Sequence, residues 1–197
     1  MEALLTIDGN ILLFIQEHIR NDILTPFMQV ITKLGDYKGL ILILFVLALL
    51  IIKGTRRTGI CCAVAMALSG IFSNLIIKNI VGRTRPYDLL PDLTILVDKP
   101  SDTSFPSGHA SLTATLAVAL LLSLSLIMSK KLARGIGIGA ICIALIVGFS
   151  RLYLGVHFPS DVIAGLILGV VYGILGNLIG RWLAGKLPQS WFNEIKT

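Results

Sequence analysis

The sequence predicts an all-α fold: a polytopic membrane helix bundle of about five spans, preceded by amphipathic helices lying at the interface. Three observations carry that expectation. Hydrophobic residues make up 55% of the 197 residues and charged residues only 14%. Mean hydropathy is +0.86. Long uncharged apolar stretches recur along the chain. Soluble domains carry about 25% charged residues, so this chain has too little charge to cover a water-facing surface. A disordered chain is excluded on the same ground. One domain is expected over 1–197, made of an amphipathic segment (1–36), a spanning core (37–182) and a cytoplasmic tail (183–197).

The N-terminal segment differs from the rest. Residues 3–20 set Leu4, Leu5, Ile7, Ile11, Leu12, Phe14, Ile15 and Ile19 among Asp8, Asn10, Glu17 and Arg20. Residues 22–38 hold Pro26, Gln29, Lys33 and Asp36. Neither stretch is apolar enough to cross alone, and both read as interfacial helices. A single span over 11–35 would bury Glu17, Arg20 and Asp22. Glu2 and Asp8 interrupt the apolar start and no basic region precedes it, so no cleavable signal is expected.

Five stretches suit a spanning helix of about 20 residues: 39–52, 58–77, 107–129, 135–150 and 162–180. Their connections set the orientation. Lys53, Arg56 and Arg57, then Lys130, Lys131 and Arg134, then Arg181, Lys186 and Lys196 (with only Glu194 beside them) fall on one side. Basic residues crowd the cytoplasmic ends of membrane helices, which also accounts for the net charge of +6 without a nucleic-acid partner. The 83–105 connection, with Asp88, Asp92, Asp98 and Asp102, lies outside, as do the N-terminus and the 151–161 turn. A plasma (inner) membrane protein facing the periplasm or exterior is expected. Cys61, Cys62 and Cys142 lie in apolar runs without metal-ligand or disulfide spacing, and read as small core residues. Trp182 and Trp191 read as interfacial anchors, and His18 as structural.

Ionisable groups at membrane depth are costly and mark function. With the cytoplasmic clusters set aside, Lys78, Arg83, Arg85, His109, Arg151, His157 and Asp161 remain, all on the outer side. Lys78 and Arg85 stand seven apart, and Pro86 ends the helix near Arg85. With Arg151 they suit a multiply charged anion. Arg83 either contacts that anion or faces headgroups. Ser107 is a natural N-cap, so the amides of Gly108, His109 and Ala110 would form an anion site at a positive dipole end. Pro159 fits the first helical position and puts Asp161 one turn in, where it reaches back to His157. That pairing would fix the imidazole tautomer and free the other nitrogen as nucleophile or base. Two histidines, three cations and an amide nest fit phosphoryl transfer, which is mostly positioning and charge stabilisation. His157 would attack phosphorus, His109 would protonate the leaving oxygen, and no metal or cofactor is expected.

These residues carry a resemblance to the type 2 phosphatidic acid phosphatase family. Its three-part pattern is matched in order by Lys78 through Arg85-Pro86, by Pro106 to His109, and by Ser150-Arg151, His157 and Asp161. The resemblance implies an all-α bundle with its site near the outer boundary. It implies His157 as nucleophile, Asp161 as its orienting partner and His109 as general acid. Lys78, Arg85, Arg151, Ser107 and Gly108 would form the phosphate cradle. It further implies a lipid phosphate substrate such as undecaprenyl pyrophosphate, phosphatidylglycerophosphate or phosphatidate, held at the bilayer. The alternatives are a vanadate-dependent haloperoxidase-like enzyme, whose relatives are generally larger and soluble, and a non-enzymatic lipid-binding or transport protein. Neither the lipid nor the oligomeric state follows from the pattern.

Overall fold

The computed structural model describes residues 2–192, so Glu194 and Lys196 of the tail lie outside the described residues. Among them no strand forms. The N-terminal segment folds as α1 (Glu2–His18) and α2 (Leu24–Thr32). The break between them rules out one continuous helix over 11–35. It is closed locally: Asn21 Oδ1 accepts from the amides of Ile23 and Leu24.

α3 (Asp36–Ile51) is 16 residues long, about 24 Å, short of the roughly 30 Å apolar thickness of a bilayer. α4 (Arg56–Ser69) continues through a π-helical stretch, Gly70–Ile77, into α5 (Lys78–Val81). A π stretch is wider than an α turn and re-aims its side chains. Here Ser69 and Ser73 Oγ lie 3.0 and 3.1 Å from Ser111 Oγ. The helix stops at Gly82, which takes a left-handed conformation (φ 58°) that a side chain would disfavour. α6 (Pro86–Leu89) is a single turn opened by Pro86. α7 (Gly108–Ser123), α8 (Lys130–Tyr153) and α9 (Pro159–Lys186) complete the bundle.

Among the described residues, four helices are long and apolar enough to cross a membrane, and five if Leu24–Gly35 and Gly39–Ile51 count as one bent span. This is a multi-pass membrane protein. α8 runs from Lys130 rather than 135, because the basic ends of a membrane helix can snorkel. α9 likewise runs past 182 to Lys186.

α7 is the central helix, buried at every position from Ala110 to Leu120. α9 packs along it through glycines. A Cβ at Gly165 would sit 2.7 Å from the Ser107 carbonyl oxygen, and one at Gly169 would sit 2.6 Å from that of Ser111. Small residues at such a crossing let two backbones approach closely in lipid. The crossing brings the start of α7 against the start of α9, and both carry site residues. Gly169→Val is therefore expected to destabilise the bundle by about 2 kcal/mol or more, read as a lower Tm in detergent. On the outer side of α9, Ile163, Ile167 and Leu178 are exposed, as lipid-facing positions should be.

α1 docks over the α8–α9 turn. Leu12 is buried with Phe158 and Leu93, and Ile15 with Tyr153, Leu154 and Val156. Arg20 Nε donates to the Tyr153 carbonyl at 2.8 Å, and its Nη1 to that of Thr94 at 2.7 Å. Leu4, Ile7, Ile11 and Phe14 remain exposed on the other side, the arrangement of a helix lying on a membrane. His18 stacks on Phe14 at 4.6 Å. At the opposite end of the bundle the Arg56 guanidinium lies 4.6 Å from the Trp191 ring centroid. Lys186 Nζ lies 4.0 Å from that of Trp182. Cys61 and Cys62 are buried, but Cys142 is exposed on α8, so the expectation of three core cysteines fails there.

Candidate active site

Four segments meet at one end of the bundle: the C-terminal end of the α4–α5 helix, the start of α7, the end of α8 and the start of α9. The alternating helix directions make this unavoidable, because the basic ends of the same helices lie at the other end. Lys78, Arg85, Gly108, His109, Arg151 and His157 all line one cavity of about 1360 Å³.

The helix ends one turn before Arg85, so Lys78 and Arg85 do not share a helical face as the spacing alone suggests. They converge through the loop instead. Arg85 is extended (φ −78°, ψ 154°) ahead of Pro86. Both cations close on one carboxylate: Lys78 Nζ bonds Asp102 Oδ2, and Arg85 Nη2 bonds Asp102 Oδ1 at 2.5 Å. Arg85 Nε also donates to the Asp102 carbonyl (2.7 Å), and Nη1 to that of Val156 (2.7 Å). Burial acts to raise the Asp102 pKa, but Lys78 and Arg85 outweigh it and hold it down at about 2. The pairing therefore contributes stability in full above about pH 4, the ordinary carboxylate value. That contribution is lost as pH falls through about 2. A Tm measured in detergent should fall over this window in the native chain, and fall less in Asp102→Asn.

Arg151 is buried, and its Nη1 donates to Thr32 Oγ1 at 2.5 Å. Its Nε is buried and makes no hydrogen bond among the described residues, and neither does Ser107 Oγ. Ser107 stands at the N-cap position of α7, but the expected side-chain cap is not made. The first amides of α7 have no intrahelical acceptors by helix geometry. A Cβ at Gly108 would lie 2.8 Å from Asn74 Oδ1, so a side chain there would displace the Asn74 amide.

His157 is buried between α8 and α9, with Nε2 3.4 Å from Arg85 Nη1. Its other nitrogen faces Asp161 at 3.7 Å, beyond the direct hydrogen bond expected from the spacing. Ser104 explains the gap: its Oγ donates to Asp161 Oδ2 at 2.5 Å and lies 3.5 Å from His157 Nδ1. Asp161 Oδ2 also accepts from the Phe158 amide at 2.9 Å, the backward reach that Pro159 predicts. Burial pushes the His157 pKa down to about 3, against the Asp161 carboxylate and with help from Arg85 and Arg151. Its imidazole is neutral at physiological pH.

Arg83 is tied to protein groups that the sequence did not point to. It donates to Asp161 Oδ1 (2.5 Å), Ser160 Oγ (2.7 Å) and Asp8 Oδ2 (2.8 Å), with its guanidinium 4.3 Å from the Phe158 ring centroid. It is a half-buried brace tying α1 to the start of α9. His109 Nε2 lies 2.9 Å from Asp36 Oδ1. The sequence reasoning missed Ser104, Asp8, Asp36, Asp102 and Thr32 as partners of the site. Asp36 had a usable signal, because it is an acid at the mouth of an apolar span. Ser104 and Thr32 had none, since small hydroxyl residues are common near helix ends.

Comparison with known sequences decides the family. The PAP2 superfamily pattern matches residues 58–183. The chain belongs to the PAP2 superfamily. It is 39% identical over 121 residues to an undecaprenyl-diphosphatase of Sulfolobus acidocaldarius, covering 61% of this chain and 54% of that protein. It is 29% identical to a lipid A 4'-phosphatase of Bacteroides thetaiotaomicron, covering 96% and 84%. The crystal structure of a transmembrane PAP2-type phosphatidylglycerolphosphate phosphatase from Bacillus subtilis superposes with a TM-score of 0.74 at 29% identity, covering 96% and 90%. In the matched region the chain spans about half the length of the first of these curated relatives. The PAP2 match includes Lys78, Arg85, His109, Arg151, His157 and Asp161 and leaves out α1, α2 and α3.

Proposed function

We propose that this PAP2 protein is a lipid phosphatase. It would hydrolyse a membrane lipid phosphate or pyrophosphate, without a metal, through a phosphohistidine intermediate at the outer face of the plasma membrane. The observation that carries the reading is the shared cavity. It joins Lys78, Arg85, His109, Arg151 and His157 to an apolar wall built from α3 and α4, including Val46, Leu50, Ala63 and Met66. A phosphate is held at the polar end while the chain it is tethered to stays in an apolar environment. Buried donors without protein partners, Arg151 Nε and Ser107 Oγ, fit an anion ligand. Three relatives are named for lipid or prenyl phosphatase activities, which also favours this reading over a haloperoxidase. Undecaprenyl pyrophosphate, phosphatidylglycerophosphate and phosphatidate are the candidate substrates.

The chemistry follows from the geometry. Lys78, Arg85, Arg151 and the first amides of α7 neutralise the phosphoryl oxygens, with Asp102 yielding the two cations it holds. His157 keeps its hydrogen on Nδ1, toward Ser104 and Asp161, and Nε2 attacks phosphorus. The bond from that phosphorus to the lipid oxygen, or in a pyrophosphate from the terminal phosphorus to the bridging oxygen, breaks as the N–P bond forms. The leaving oxygen takes a proton from His109. Water then attacks the phosphohistidine, returns a proton to His109 and releases phosphate.

Purified protein in detergent with chelator, offered these three lipids and a soluble phosphomonoester, tests the proposal. Release from at least one lipid, stronger than from the soluble ester, is expected. Release only when a metal is added, or from no lipid, would refute it. Within the cradle, Arg151→Ala is expected to lower kcat about 10²-fold or more, as loss of one transition-state donor does.

A further inference from the structure

We propose that Asp36 is the positioning carboxylate of His109, so that the site holds two Asp–His pairs rather than one. The inference rests on the reading of His109 as the proton donor. Asp36 opens α3, outside the region matched by the PAP2 pattern.

Three observations converge on the segment. His109 Nε2 lies 2.9 Å from Asp36 Oδ1. Gly35, the preceding residue, packs against the imidazole so closely that a Cβ there would overlap His109 Cδ2. Four residues before Asp36, Thr32 accepts the Arg151 Nη1 hydrogen bond. The turn between α2 and α3 thus grips one cradle cation and one histidine, in the wall of the shared cavity.

The chemistry assigns the nitrogens. A carboxylate at Nε2 holds the hydrogen there and fixes the ring orientation. Among the described residues no protein group bonds Nδ1. Nδ1–H of the imidazolium is then the proton given to the leaving oxygen, and the neutral ring that remains keeps its hydrogen on Nε2, against Asp36. In the second step Nδ1 takes a proton from the attacking water. The two histidines use opposite nitrogens, His157 reacting at Nε2 and His109 at Nδ1.

The test compares leaving groups. kcat/KM reports the steps through phosphoenzyme formation. It would be measured in detergent for phosphatidate, whose alkoxide needs a proton, and for a 4-nitrophenyl phosphate carrying an alkyl chain, whose phenolate does not. Asp36→Ala should lower the value for phosphatidate about 10²-fold, and for the aryl ester by less than about fivefold. His109→Gln should show the same selectivity. Asp36→Glu should recover part of the loss. If Asp36→Ala does not fold, Asp36→Asn keeps the shape without the charge and should lose about tenfold, again on phosphatidate alone. Equal losses on both substrates for the Asp36 variants, with His109→Gln still selective, would reduce Asp36 to a structural tie and overturn the inference. Equal losses for His109→Gln itself would instead remove the reading of His109 as acid, and the inference with it.

Discussion

His157→Ala is expected to abolish phosphate release from every lipid substrate while the protein remains folded. By analogy with removal of a hydrolase nucleophile, the loss is on the order of 10⁶-fold. The size follows from chemistry rather than packing: without the imidazole no N–P bond forms, and a lone water must attack a phosphoryl group directly. The fold should survive because the first turn of α9 is held independently, by Asp161 on the Phe158 amide and by Arg83 on Asp161. Unchanged elution and Tm in detergent, beside absent turnover, are the expected pair of results. Acid pH does not mimic the mutation until far down the scale, because burial holds the His157 pKa at about 3. Any acidic limb above about pH 4 in the kcat/KM profile, which reports the free enzyme, therefore belongs to another group.

Asp161→Asn carries the second largest expected effect, a fall in kcat on the order of 10³–10⁴, as in hydrolase triads that lose their carboxylate. The carboxylate is buried and accepts from Ser104 Oγ, the Phe158 amide and Arg83. An amide in its place turns an N–H toward one of these donors. Ser104 is then free to rotate, and the hydrogen on His157 Nδ1 loses its acceptor. Arg83 is left beside a neutral group, so a drop in stability accompanies the loss of rate. Ser104→Ala, which leaves the Arg83–Asp161 pair intact, should cost only about tenfold. A larger loss for Ser104 than for Asp161 would contradict the arrangement.

Much of this was legible in the sequence because lipid imposes strict rules. A charge on a spanning helix needs a reason, so Lys78, His109 and Arg151 stood out without any structure, and Pro86 and Pro159 marked where helices had to end and begin. The partners of Arg83 were not foreseen because Asp8 and Asp161 lie 75 and 78 positions away, and no local pattern announces an ion pair across that separation. Asp36 was passed over because it was grouped with the amphipathic segment, whereas it is the charged mouth of α3. The same cost argument that singled out His109 applies to it. The indirect route from Asp161 to His157 was invisible for a different reason. A spacing of four on a helix start predicts proximity, and whether a hydroxyl stands between the two groups depends on where the 90–105 loop returns.

The most direct test of the central claim is a rapid-quench experiment on the full chain in detergent with chelator, using lipid phosphate labelled with ³²P. A labelled protein that is stable to base and labile to acid, mapped to the peptide holding His157 and absent from His157→Ala, is the predicted result. Turnover without such a labelled species, or a label that maps elsewhere or survives in the His157 variant, would contradict the account.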